Sequence, residues 1–413
     1  MKKILWLCFF VVSLFVLDVN ADTLVRARIG NNYYDSLSEA ILNAGPNDVI
    51  FLTSDNILSE TIEINKNVNI NLNNHNIEAE EKVFLIHGGS LNIIGKGTIR
   101  ETKPYYGAIV MVGSDDVSDV DYSTVSVGKD VVLEGWSGIF IDHENKASYG
   151  VLVNMNGTIK AVDDTNGGTG VGIYVNGYIA HADNAPIINL SDTVKITSTG
   201  LGIYSAGNAN YYINGAYIEG VEAGLGIKSG SVKMLDGTIY GTGEDKTPTS
   251  GNNDGINPSG AAIQIESNNS YYGNIVLDIR DGLIKSNQSY AIYEYTVNGA
   301  PTKIKDISLS GGTYIANDGY SALKMSDSFN GMHTGFIKGG AYSSSPSSYL
   351  EDGYSVNKND SMYEVVNKDL SSKIPLIQKV AKNRNNIIYS IIFTVLIIIG
   401  LFGYAIWDNR REY

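Results

Sequence analysis

The sequence predicts an all-β solenoid of stacked parallel coils, and three observations carry that reading. Between two hydrophobic ends, the 413-residue chain repeats a phrase of glycine, a β-branched or aromatic residue, then an aliphatic one. It occurs at Gly97-Thr98-Ile99, Gly157-Thr158-Ile159, Gly177-Tyr178-Ile179, Gly237-Thr238-Ile239, Gly282-Leu283-Ile284 and Gly312-Thr313-Tyr314. A second phrase interleaves with it: Gly172-Ile173-Tyr174, Gly202-Ile203-Tyr204, Gly226-Ile227-Lys228, Ala262-Ile263-Gln264, Ala291-Ile292-Tyr293 and Ala322-Leu323-Lys324, spaced by 24 to 36 residues. The third observation is alternation. Ile62, Ile64, Val68, Ile70 and Leu72 fall on one side of their strands, and Glu63, Asn69 and Asn71 on the other. Irregular periods of this size, built on short strands and glycine turns, indicate stacked coils rather than a sandwich.

Residues 1–21 read as a secretory signal. Lys2 and Lys3 precede an apolar run from Ile4 to Leu17, with small residues at Val19 and Ala21 before the expected cleavage. Cys8, the single cysteine, lies inside this segment, so the mature chain has neither disulfides nor thiolate chemistry. Secretion without disulfides suggests a bacterial exterior. Residues 22–47 contain a strand-like entry, Leu24 to Ile29, and then a short helix. Leu37, Ala40, Ile41 and Ala44 have helical spacing, with Asp35 or Ser36 as N-cap and Gly45-Pro46 as the stop. Such a helix would cover the open apolar end of the first coil.

Residues 48–342 carry the repeats. At about 27 residues per coil they would form roughly eleven coils, a rod on the order of 50 Å at the ~4.8 Å interstrand spacing. Gly113–Ser123 and Thr242–Ser259 interrupt the period and should project as loops from one side. Residues 343–366 read as closing strands and 367–386 as a stalk. Residues 387–407 are free of charge and long enough to span a bilayer, with Tyr404 and Trp407 suited to the interface. Residues 408–413 form a short tail, cytoplasmic if the signal sets the topology. No Leu-Pro-x-Thr-Gly sorting motif precedes the span.

The formal charge is −14. Removing the +1 of the signal and the +1 of residues 384–413 leaves an ectodomain near −16. That field repels polyanions and excludes nucleic acid as a partner.

Two passages resemble a known group. One is Tyr33 to Ile77, with its Ser-Leu-x-Glu-Ala-Ile helix, Asp48-Val49-Ile50, Glu60-Thr61-Ile62 and Ile70-Asn71-Leu72. The other is Gly339-Gly340-Ala341-Tyr342 followed by Tyr349-Leu350-Glu351-Asp352-Gly353-Tyr354 and the strand Ser361 to Val366. Both are similar to bacterial surface right-handed parallel β-helix proteins of the broad pectate-lyase-like superfamily. With the repeats, the resemblance covers most of residues 30–367. It implies a right-handed parallel β-helix displayed at the surface and is silent on substrate.

Chemistry is sparse. Asn252-Asn253-Asp254-Gly255 resembles one strand motif of polygalacturonase-type hydrolases, which would make Asp254 an acid–base candidate. The downstream Asp-Asp, Gly-His-Gly and Arg-x-Lys motifs of that family are missing. A lyase would use acidic calcium ligands and a basic residue, and Asp278 with Arg280 alternate outward as such a pair could. Asp115, Asp116, Asp119 and Asp121 are dense enough in oxygen to bind Ca²⁺ but lack the glycine and terminal glutamate of a calcium loop. Calcium is thus the one cofactor contemplated. Gly167 to Gly172 reads as tight turns. The five histidines are dispersed, without a zinc motif, and no Gly-x-Ser-x-Gly elbow exists.

The 27 tyrosines stand out against 10 Phe and 3 Trp. Doublets at Tyr33-Tyr34, Tyr105-Tyr106, Tyr211-Tyr212 and Tyr271-Tyr272 would place one ring inward and one outward, the outer rings able to stack on sugars or dock a protein. The reading is a membrane-anchored surface protein whose ectodomain binds extracellular polysaccharide or a surface protein without catalysis. A polysaccharide lyase or hydrolase and a structural envelope protein are the alternatives.

Overall fold

A computed structural model describes residues 25–246, 257–297 and 301–369. The signal segment, the predicted span 387–407, most of the predicted stalk and Asp254 lie outside them. No helix among the described residues is long and apolar enough to cross a membrane.

The described chain winds into ten coils of parallel strands, a solenoid-like stack compatible with a β-helix. Most coils contribute three short strands, which align into three faces. The fourth coil is representative: Ser123–Val127 lies on the first face, Val131–Gly135 on the second and Ser137–Asp142 on the third. Each pairs in parallel with its counterparts one coil before and after. In the seventh and eighth coils a single long strand (Asn210–Gly220, Gly230–Glu244) runs across the first two faces with irregular register at the bend. Ten complete coils end at Leu323–Lys324, and the eleventh is partial: Ile337 pairs with Leu309 and Ala341–Tyr342 with Thr313–Tyr314, both in parallel. Gly113–Tyr122 joins the third face to the first, whereas the passage after Glu244 joins the second to the third. These two loops therefore leave different corners, contrary to the expectation of one side.

Side chains alternate because the strands do. Inward aliphatics such as Ile70, Leu91, Val125, Val153 and Ile188 form a continuous buried core. The N-terminal end is closed as predicted by the helix Leu37–Asn43. Ser36 is its N-cap, accepting from the Glu39 N–H at 3.1 Å, and Leu37, Ala40 and Ile41 are buried. Ala27–Ile29 covers the first strand, Val49–Leu52, in antiparallel register. At the other end, the hairpin Tyr354–Asn359 and Met362–Asn367 turns antiparallel onto Ala341–Tyr342. Glu294, inward and fully buried, docks the last cap: its carboxylate accepts from Ser267, Thr296 and both the N–H and hydroxyl of Ser326. Ser326 is in turn the N-cap of the helix Asp327–Asn330.

The two repeated phrases meet in one contact, except Gly177-Tyr178-Ile179, which follows the third-face strand Val171–Val175 instead of lying on the second face. Isoleucines of the second face (Ile159, Ile196, Ile218, Ile239) point at the corner where the third face begins. The residues there are Gly138, Gly172, Gly202 and Gly224. A Cβ on each would lie 2.3–2.7 Å from the facing isoleucine's Cγ2. Glycine is required for space, not for backbone conformation. This register also corrects one sequence assignment. Leu225, not Ile227, pairs with Ile203 and Ile263, so Gly224-Leu225-Gly226 is the true repeat and Gly226-Ile227-Lys228 is offset by two residues.

Gly202→Ala should therefore cost about 1–3 kcal/mol through overpacking, whereas Gly331→Ala, with only ordinary contacts at 3.7 Å, should be near neutral. Thermal midpoints from circular dichroism compare the two variants directly.

Candidate functional site

The three outward faces differ in chemistry. The first carries an amide ladder, with Asn92 donating to Asn69 at 3.3 Å and Asn189 to Asn154 at 2.9 Å. The second carries a charge ladder, where Arg100 bridges Glu78 and Glu134 in the coils on either side, both at 2.9 Å. The third is aromatic. Phe140, Tyr174 and Tyr204 occupy the same register position in successive coils. Their rings stack at 4.6 Å (18°) and 5.1 Å (29°), and Trp136 leans on Phe140 and Tyr174 at 6.1 and 5.3 Å.

A second apolar cluster lies on the outer side of this third face. Val171, Leu201, Tyr204, Ala206 and Ala223 are buried there, with Trp136, Tyr174 and Tyr271 packed against them. Outward positions of a solenoid are expected to be polar, so nothing in the alternation pattern announces this cluster.

A buried carboxylate organises its N-terminal wall. Glu101, 2 % exposed, accepts from the N–H groups of Tyr105, Tyr106 and Trp136 at 2.8–3.0 Å. Trp136 Nε1 donates to the Thr169 carbonyl at 3.0 Å, and Thr165 N–H donates to the Pro104 carbonyl at 3.1 Å. The Tyr105-Tyr106 turn and the 163–169 loop are thereby held beside the aromatic row. The opposite wall is Tyr178, 59 % exposed, whose ring sits 5.3 Å from that of His143. Along the strands next to the aromatic row, Asp142 Oδ1 accepts from Asn176 Nδ2 at 2.8 Å and from the His143 N–H at 2.9 Å.

Beyond Tyr204 the face becomes a buried ionic cluster. Lys228 and Glu266, 2 % and 1 % exposed in their side chains, pair at 2.9 Å. Glu266 also accepts from Tyr295, Asn257 and Asn268 at 2.6, 3.1 and 2.7 Å. Lys228 donates to the Tyr271 hydroxyl at 3.0 Å, with the ring centroid 4.5 Å away. With these partners the two buried charges are compensated within the cluster.

The candidates read from sequence fall elsewhere. Asp278 and Arg280 pair with each other at 3.0 Å beside the first face, on a partly exposed surface. Asp115 accepts from Asn145, and Asp116 accepts from both the N–H and hydroxyl of Ser118, which lowers its pKa. Asp119 offers its carbonyl to Ser114, and the Asp121 side chain lies against Gly88. Each aspartate has its own separate setting. No group of three or more His, Cys, Asp or Glu among the described residues could hold a metal ion. The tyrosine doublets split as expected at Tyr211 (1 % exposed) and Tyr212 (47 %), but both rings of Tyr105-Tyr106 face outward because that pair sits on a turn, not a strand.

Lys228→Met should destabilise the protein by about 3–5 kcal/mol because it strands a buried carboxylate. The double change Lys228→Met/Glu266→Met should cost less than Lys228→Met alone; urea unfolding of the two variants measures the coupling. Burial, then the neighbouring Tyr271 and Asp142, push Tyr174 up to about 12, and burial raises Tyr204 as well. Both folded values exceed the ordinary tyrosine value near 10. The folded state thus retains protons that the unfolded chain releases. Stability present below pH 10 should be lost as the pH rises toward about 12, and Tyr174→Phe should flatten that loss in thermal melts followed by tyrosinate absorbance.

No protein-family model, no curated protein and no solved structure matches this chain.

Proposed function

We propose that the chain is a membrane-anchored bacterial surface protein whose ectodomain, a right-handed parallel β-helix of the pectate-lyase-like type, binds extracellular polysaccharide without cleaving it. The observation that carries this reading is the aromatic third face. Partly exposed Trp136, Phe140 and Tyr174 lie between the tyrosine walls Tyr105-Tyr106 and Tyr178, with Asp142 and Asn176 alongside. Flat amphipathic rings beside a carboxylate and an amide are the groups that contact sugar rings and hydroxyls. Non-catalytic binding fits the chemistry present: the buried Lys228–Glu266 pair is enclosed, and Asp278 and Arg280 engage each other. The secretory signal and the apolar span 387–407 support the surface address, and the −16 ectodomain supports solubility outside the cell.

Size-exclusion chromatography with light scattering on the full-length chain in mild detergent, mixed with a polysaccharide panel, tests the proposal. Co-elution with polymer of undiminished mass is the expected result. Shortened polymer would make the protein an enzyme, and absence of co-elution with every polymer would remove polysaccharide as the partner.

A further inference from the structure

The third face also constrains the charge and course of its ligand. We infer that it holds a short stretch of uncharged polysaccharide lying along the solenoid axis, and that it rejects polyuronates. This rests on the polysaccharide-binding reading above.

Direction follows from register. Phe140 and Tyr174 advance from one coil to the next by 4.6 Å between ring centroids, comparable to the advance of one pyranose unit in an extended polymer. Because the two rings cover each other's faces, they present edges rather than faces outward. The faces left for stacking belong to the walls, Tyr105 (52 % exposed) and Tyr178 (59 %). The row closes at Tyr204, which is buried, so only a few sugar units fit.

Charge follows from what lines the row. Asp142 uses Oδ1 for Asn176 and His143, which leaves Oδ2 to accept a sugar hydroxyl. Glu144 and Glu222 lie on the same side of the solenoid. Glu222 bonds Thr169 at 3.0 Å; burial raises its carboxyl, the Thr169 hydrogen bond and the nearby Lys246 oppose that, and Asp163 adds to the rise. None of the four described arginines is on this face: Arg26 and Arg28 belong to the N-terminal cap, Arg100 to the second face, and Arg280 pairs with Asp278. The nearby lysines are few, and Lys246 stands beside Glu222, where it lowers that carboxyl. Lys82 lies 4.7 Å over the Tyr106 ring, Lys146 5.8 Å over the Tyr272 ring, and Lys228 pairs with Glu266. A carboxylate on every sugar would meet Asp142, Glu144 and Glu222, with Asp163 beside the last, and Lys82, Lys146 and Lys246 do not outnumber these carboxylates. A polymer of amines fares no better. The carboxylate is not repeated from coil to coil, since Asn176 and then Ala206 follow Asp142 along that row, and the stacked ring faces are closed to cations. Hydroxyls match the single acceptor, the amide and the phenols.

Affinity electrophoresis of the full-length chain in mild detergent separates the outcomes, using gels containing a soluble β-glucan, a galactomannan, polygalacturonate or glycol chitosan. Retardation by a neutral polymer and not by the two charged ones is expected. Asp142→Ala and Tyr178→Ala, both partly exposed positions, should each weaken it about tenfold with unchanged thermal midpoints. Preferential retardation by polygalacturonate or glycol chitosan would overturn the inference and leave polysaccharide binding standing. Full retention of affinity in both variants would move the site off this face and overturn it as well. No retardation in any gel would overturn both readings.

Discussion

The close approach of the third face to the second at one corner of the coil is the contact on which the rest of the molecule depends. Gly138, Gly172, Gly202 and Gly224 have no Cβ, so the isoleucines of the second face fill the corner directly. That contact narrows the core, and a narrow core lets a single layer of inward aliphatics fill it without voids. Because each coil rests only on its neighbours, the contact repeats through four successive coils. It weakens where the third face changes from glycine to alanine, at Ala262, Ala291 and Ala322, and there the core also takes in polar groups such as Glu294. The C-terminal coils are thus held differently. Hydrogen bonds from Ser267, Thr296 and Ser326 to one buried carboxylate take over part of what aliphatic packing does earlier.

Exact stacking has a second consequence. Any outward residue type repeated at one register position becomes a ladder. Amides on the first face, alternating charges on the second and aromatic rings on the third each gain from a neighbour about one interstrand spacing away. The amide and charge ladders satisfy themselves in water and are individually worth little. The aromatic ladder is different because it removes apolar area from water outside the core. It requires walls, and Glu101 supplies one by gathering three backbone N–H groups from two loops. A carboxylate at the end of a second-face strand thereby determines where Tyr105, Tyr106 and Trp136 stand, and with them the shape of the only aromatic face described.

Sequence reasoning reached the coils because alternation and glycine spacing are local signals. It placed the helix Leu37–Asn43 with its cap, the first-coil strands and the final strand near Met362. It mistook Gly226 for a repeat position because a two-residue slip inside a glycine-rich strand leaves the local pattern intact. Asp278 and Arg280 looked suitable for chemistry from their spacing alone, yet that spacing is also what lets them pair with each other. Glu101, Lys228 and Glu266 were not singled out, since an isolated charge in an alternating strand reads as solvent-facing.

The coiled architecture and its closure are written in local sequence. Short strands, glycines where coils meet, and a capped helix are properties of neighbouring residues. Which outward positions are enclosed depends on contacts between coils. Phe140, Tyr174 and Tyr204 are more than thirty residues apart in sequence from first to second and about thirty from second to third, and parallel register alone stacks them. Lys228 meets Glu266 because an outer cluster buries both. Burial of an outward side chain depends on loops from other coils, and no local period records where those loops come to rest.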